Sequence, residues 1–162
     1  MSVDEKQAAS SAAALARQWK LENGVGFLLR LLEAKYDGLY QSLTRQTDVT
    51  PRQFGVLMAL LQQGPMTPSA LADCISCDRN TLSEMLKRMT ARRLISKKSH
   101  PADRRSIQVQ ITSKGTSALM AVVPAAARLQ DLMLAPLSRD DRAHFLQCMR
   151  TIATSSPPDP NA

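Results

Sequence analysis

Between Thr50 and Thr112 the hydrophobic period of the chain changes, from three short helical repeats to a pair of alternating segments around a basic turn. Few folds accept that order in so short a stretch. Thr50-Pro51-Arg52-Gln53 has the form of a capping box with proline at the first helical position. Phe54, Leu57, Met58 and Leu61 then recur at helical spacing until Gly64-Pro65 stops the run. Thr67-Pro68 starts a second short helix with Leu71, Cys74 and Ile75 on its apolar side. After a turn at Ser76-Cys77, Asp78 is placed to cap a third helix running to about Arg92, with Leu82, Met85, Leu86 and Met89 inward. At about 100° per residue its opposite side presents Asn80, Ser83, Glu84 and Lys87, flanked by Arg79 and Arg88.

Residues 94–98 and 106–111 read as two strands, joined by the loop-forming, charged segment 99–105. Thr112 then caps a long helix to about Ala135, with a bend expected near Pro124. Ser138, with Asp141 three residues on, starts a last helix whose expected buried stripe is Phe145, Leu146, Met149 and Ile152. Upstream, Leu21, Val25, Leu28, Leu32, Tyr36, Leu39 and Leu43 describe one amphipathic helix from Trp19 to about Gln46. So narrow a stripe on so long a helix suits packing on other helices or on a second subunit. Residues 1–18 read as a flexible, partly helical N-terminal arm. Residues 155–162 read as a disordered tail, because proline blocks helix there and nothing apolar needs burial. Residues 19–154 form the one folded domain.

The formal charge of +7 implies a polyanionic partner, and its distribution says which. Ten of the 21 basic residues, namely Arg79, Lys87, Arg88, Arg92, Arg93, Lys97, Lys98, Arg104, Arg105 and Lys114, lie between Cys77 and Gly115. The apolar run from Ala118 to Ala127 is half of the about 20 residues a bilayer span requires, so no membrane partner is expected. Three cysteines fit a reducing cytoplasm. Two distant histidines, with no phosphate-cradling glycine loop, provide no catalytic apparatus, and neither a cofactor nor a metal is expected.

Two helices and a tight turn followed by a basic hairpin make a winged helix-turn-helix. The second helix of the pair suits the major groove, and an arginine at the hairpin tip suits a narrow minor groove. The run from Leu71 to Ser83 and the hairpin Asp103-Arg104-Arg105-Ser106, with Thr112-Ser113-Lys114-Gly115 beyond it, resemble the multiple antibiotic resistance regulator (MarR) family. The resemblance covers about Leu21 to Ile152. It implies a mainly α (α+β) fold, a winged helix-turn-helix over 49–112 with long dimerisation helices over 19–48 and 113–154. It further implies a homodimeric repressor on a pseudo-palindromic double-stranded operator. By position, Arg105 is the minor-groove arginine and Asp103 the carboxylate that orients it. Arg79, Asn80, Thr81, Ser83, Lys87 and Arg88, with Lys97, Lys98 and Arg104, complete the expected DNA set.

Many relatives of this kind release DNA on binding a small phenolic or aromatic-acid ligand. Arg30, Tyr36, Arg52, Phe54 and Met58 are the residues here that suit such a pocket, the alternative for each being ordinary core or surface. Two departures stand out: Arg93 and Ser76 occupy positions where the family usually has glycine. Glu84 either accepts from a cytosine or, as expected here, pairs with Lys87 or Arg88. Cys74 and Cys77 are expected in the core, the alternative being a thiol-redox regulator on the same scaffold. His100 suits either a phosphate or an exposed loop, and His144 a surface or dimer contact.

Overall fold

The computed structural model describes residues 3–99 and 107–156. Its helices are α1 (Val3–Gln18), α2 (Val25–Leu43), α3 (Pro51–Gln63), α4 (Pro68–Cys74), α5 (Arg79–Ala91), α6 (Ser113–Leu134) and α7 (Arg139–Thr154), and its strands β1 (Ile95–Ser99) and β2 (Ile107–Ile111). The chain divides into two compact units, residues 1–38 and residues 39–162.

In the first unit, Val3–Gln18 is α-helical, where composition suggested an arm with partial helix. The expected single helix from Trp19 is interrupted. Leu21–Asn23 forms a 3-10 turn, and the Gly24 N–H donates to the Leu21 carbonyl, so α2 begins only at Val25. A side chain at Gly24 would press on that same carbonyl, which accounts for the glycine at the break.

The second unit is built around α3, α5 and the hairpin. All four expected core residues of α5 (Leu82, Met85, Leu86 and Met89) are buried. Leu57, Leu60, Leu71, Leu94, Ile95, Val109 and Leu119 are likewise fully or nearly fully buried, and α5 packs on α4 and β1. On α3 the buried face is rotated from the expected one: Val56, Leu57, Ala59 and Leu60 are inside, Phe54 and Met58 half-buried and Leu61 exposed. A helix packed by more than one neighbour buries a face wider than a single stripe, and α3 contacts α4, α6 and β2. On α4, Leu71 and Ala72 are buried while Cys74 is exposed and Ile75 half-buried.

β1 and β2 pair antiparallel, Lys97 opposite Val109, and Met66 adds an isolated bridge to Val109. α6 runs through Pro124 without interruption. Its length and composition would let it cross a bilayer, contrary to the expectation drawn from the shorter apolar run. It packs on α3 and buries Gly115, Leu119, Val122, Leu129 and Leu134. The expected buried stripe of α7 is not buried in the single chain: Phe145 and Leu146 are half-buried, Met149 is 42% exposed and Ile152 74%. Helical period identifies which residues share a face, not whether the same chain covers it. Leu21, Val25, Leu28 and Leu32 are exposed in the same way.

The hairpin is tied to α6 at Thr112. The Thr112 hydroxyl accepts from Gly115 N–H (3.0 Å), capping α6, and donates to the Arg93 carbonyl (2.7 Å) and the Leu94 carbonyl (3.1 Å). Thr112 N–H also donates to the Leu94 carbonyl. Gly115 therefore lies against Leu94, and a Cβ there would overlap that carbonyl, which is backbone and has nowhere to go. Gly115→Ala is expected to lower stability by about 2 kcal/mol or more, read as an unfolding midpoint in urea. A change under about 0.5 kcal/mol would show that the contact is not tight.

Candidate nucleic-acid interface

The helix-turn-helix depends on two backbone positions that L-residues rarely adopt. Ser76 (φ 50) closes α4 and Arg93 (φ 60) follows α5, both in the left-handed region. These are the two sites that depart from glycine, and the backbone keeps a glycine-like conformation at each. At Ser76 the reward is a helix-ending pair of bonds: Cys77 N–H reaches the Ala72 carbonyl and Ser76 N–H the Asp73 carbonyl. At Arg93 the turn delivers Leu94 N–H to the Met89 carbonyl and starts β1.

The turn at Ser76 hands the chain to Asp78, the N-cap of α5, whose Oδ1 accepts from Thr81 N–H at 2.8 Å. Hydrogen bonds from Thr81, its hydroxyl first and then its backbone N–H, hold the Asp78 carboxyl below the usual range. Thr81 is thus half-buried and turned toward the cap.

Beyond the cap, Arg79, Asn80, Ser83, Glu84, Lys87 and Arg88 are all exposed. Glu84 pairs with Lys87 at 2.6 Å, in line with the expectation from spacing, and that hydrogen bond and charge lower the Glu84 carboxyl. Among the described residues, the side chains of Arg79, Asn80 and Ser83 have no hydrogen bond or ion pair. Lys97 and Lys98 are exposed on β1. A cleft of about 110 Å³, lined by Pro68, Ser69, Arg79, Leu82, Ser83, Leu86 and Lys97, brings Arg79, Ser83 and Lys97 together with the start of α4. Ser69 had no signal in sequence as a member of this surface. His100, Asp103, Arg104 and Arg105 lie outside the described residues.

Of the residues expected to line a ligand pocket, Arg30 and Tyr36 lie on α2 and Arg52, Phe54 and Met58 on α3. Arg52 is exposed and lines a cleft of about 310 Å³ with Pro51, Gly55 and residues 75–78. Phe54 and Met58 are half-buried on α3, and Arg30 is exposed on α2. Tyr36 is half-buried, and burial first, then Asp37, pushes its phenol up. The expectation of core cysteines is corrected: Cys74 is exposed, its Sγ accepting from Gln63 Nε2 at 3.3 Å, and Cys77 is half-buried. The short α4 turns Leu71 and Ala72 inward, which leaves Cys74 on the outer side. His144 is exposed and lies 3.6 Å from Cys148 Sγ.

Two helices, a tight turn, a helix with an open polar face and a basic hairpin define a winged helix-turn-helix of the DNA-binding regulators. The profile of the MarR family matches residues 47–106, the segment that carries it. The HTH-type transcriptional repressor NicR of Pseudomonas putida is 28% identical over 94% of this chain and 97% of its own length. The transcriptional regulator HosA of Escherichia coli O111:H- is 31% identical over 64% of this chain and 76% of HosA. The structure of BpsR from Bordetella bronchiseptica, whose DNA binding is regulated by 6-hydroxynicotinic acid, superposes with a TM-score of 0.81 at 25% identity, covering 85% of this chain and 99% of BpsR. The chain belongs to the MarR family of transcription regulators.

Two outcomes follow from the local geometry. Ser76→Gly is expected to raise stability by about 0.5–1 kcal/mol, relief of left-handed strain outweighing the greater freedom of glycine when unfolded. A thermal melt showing a lower midpoint would contradict this. The depressed Asp78 carboxyl contributes stability above its unfolded value, and that contribution is lost as pH falls below about 4 through the folded one. Asp78→Asn should therefore melt earlier than the parent at neutral pH, with the gap closing toward pH 2; a gap independent of pH would dismiss the charged cap.

Proposed function

We propose that this chain is a homodimeric cytoplasmic repressor that binds a pseudo-palindromic operator through α5 and the hairpin. The observation that carries the reading is the open face of α5, where Arg79, Asn80 and Ser83 are exposed and have no partner among the described residues. Polar groups held on a capped helix and left unsatisfied by their own protein are suited to base edges in the major groove. Lys97, Lys98 and Arg88 supply phosphate contacts, Lys87 does so from its pair with Glu84, and Arg104 and Arg105 with Asp103 extend the contact to the minor groove. The exposed apolar residues of α2 and α7, Ile152 among them, suit burial against a second copy. Such a dimer spaces its half-sites by roughly 34–36 Å. NicR is named a repressor, and this supports repression here.

A small aromatic carboxylate or phenol is the proposed effector, with Arg30 and Arg52 for its charge and Tyr36, Phe54 and Met58 for its ring. The ligand of BpsR supports that class. Binding that favours a dimer with misplaced α5 helices lowers DNA affinity by a coupling of about 1–3 kcal/mol.

Gel shift of the purified protein on duplexes selected from a random pool tests the reading. Salt-sensitive binding is expected, weakened by 6-hydroxynicotinic acid or a related aromatic acid. Asn80→Ala should cost about 1–3 kcal/mol on the selected site and relax preference at one base position. Equal affinity of that variant for every single-base variant of the site would remove Asn80 from the reading face.

A further inference from the structure

The C-terminal end of α5 is held from a direction that helical period gives no sign of. Arg92, the residue that closes α5, extends its guanidinium to the connection between α2 and α3: Nη1 donates to the Asp48 carbonyl at 2.6 Å and to Gln53 Oε1 at 3.4 Å. The Asp48 carboxylate is 3.7 Å from Nη2 but 94% exposed, so the backbone carbonyl is the principal seat. Gln53 is buried, and its Oε1 also accepts from Thr50 N–H, so the side chain that caps α3 is the one that receives Arg92. On the next peptide unit the Val49 carbonyl accepts from the hydroxyl of Tyr40 at 2.8 Å. Tyr40 is the buried residue of the last turns of α2, and Val49 is buried with it. The segment between them is stiffened by Thr44, whose hydroxyl bonds the Tyr40 carbonyl, and Thr47, whose hydroxyl bonds the Thr44 carbonyl. Adjacent carbonyls of one short connection are thus held by α2 on one side and by α5 on the other.

We propose that Tyr40, the adjacent Asp48 and Val49 carbonyls and Arg92 form a mechanical relay that sets the angle of α5 from the end of α2, so that discrimination between DNA sites depends on it. The inference rests on the regulator reading above and deepens it. Arg92 is a positioning residue, acting through α5 rather than on DNA. The two carbonyls lie on adjacent peptide planes joined at the Val49 Cα, and rotation about that Cα is restrained because the Val49 side chain is buried and the Thr50 N–H is held by Gln53 Oε1. Displacement of the α2 end therefore either stretches the Arg92 bonds or carries α5 along. A charge-assisted bond to a carbonyl resists stretching more than a neutral one does.

The experiment uses Arg92→Met, Tyr40→Phe and the double variant of the full chain. In the free protein, amide exchange is followed in residues 45–50 and 88–92. The relay predicts that Tyr40→Phe speeds exchange at 88–92 and that Arg92→Met speeds it at 45–50; an effect confined to the segment beside each substitution overturns it. Duplex binding is then measured for a site selected by the wild type and for a random duplex. Each single variant should lose roughly fivefold or more in the ratio of the two affinities, the double variant losing no more than the worse single.

The slope of log affinity against log salt should stay at the wild-type value. A fall by about one phosphate equivalent for Arg92→Met would show a direct backbone contact instead and overturn the proposal. A lower melting temperature with an unchanged affinity ratio would overturn it too, as would losses that multiply in the double variant. Should Arg92→Met fail to fold, Tyr40→Phe, which deletes one oxygen and no charge, decides both measurements. Wild-type protein that retains no duplex at all would defeat the regulator reading, while the exchange result would still judge the relay.

Discussion

The carbonyl of Leu94 is where this winged domain is assembled. It accepts from both the backbone and the hydroxyl of Thr112, and it faces the bare Cα of Gly115. The Leu94 carbonyl is brought there by the left-handed conformation of Arg93, which turns the Leu94 N–H onto the Met89 carbonyl. The end of α5, the start of β1 and the first turn of α6 consequently share a few atoms of backbone. A close approach of this kind tolerates no side chain, and it transmits position without relying on flexible groups.

From that junction the placement of the polar surface follows. Leu82, Met85, Leu86 and Met89 are wholly committed to the core, so α5 has one orientation about its own axis and its opposite face must meet solvent. Asp78 finishes the helix at the other end, satisfying a first-turn N–H and setting a carboxylate at the positive pole of the helix dipole. The charged groups differ in how they are held. Lys87 is drawn along the helix to Glu84, whereas Arg79, Ser83 and Lys97 surround one cleft with the start of α4. Arg92 points away from that surface and into the connection before α3.

Exposed apolar residues complete the account. A folded chain leaves single leucines outside at little cost, but Val25, Leu28 and Leu32 on α2 and Met149 and Ile152 on α7 recur at helical spacing. The second copy proposed above would cover them.

Much was legible in the sequence because it depends on neighbours within four residues. Caps at Thr50, Thr67, Asp78, Thr112 and Ser138 all form, and each was marked by a hydroxyl or carboxylate ahead of an apolar repeat. The two strands, the core stripe of α5 and the pairing of Glu84 belong to the same class, since local periodicity and short-range bonding decide them. What tertiary structure alone decided was which faces find cover. It rotated the buried side of α3, left Cys74 and the α7 stripe outside, and held Ser76 and Arg93 in a glycine-like backbone. It also joined Arg92 to a carbonyl 44 residues away. Those outcomes depend on which segments meet in space, and residue spacing along the chain carries no record of that.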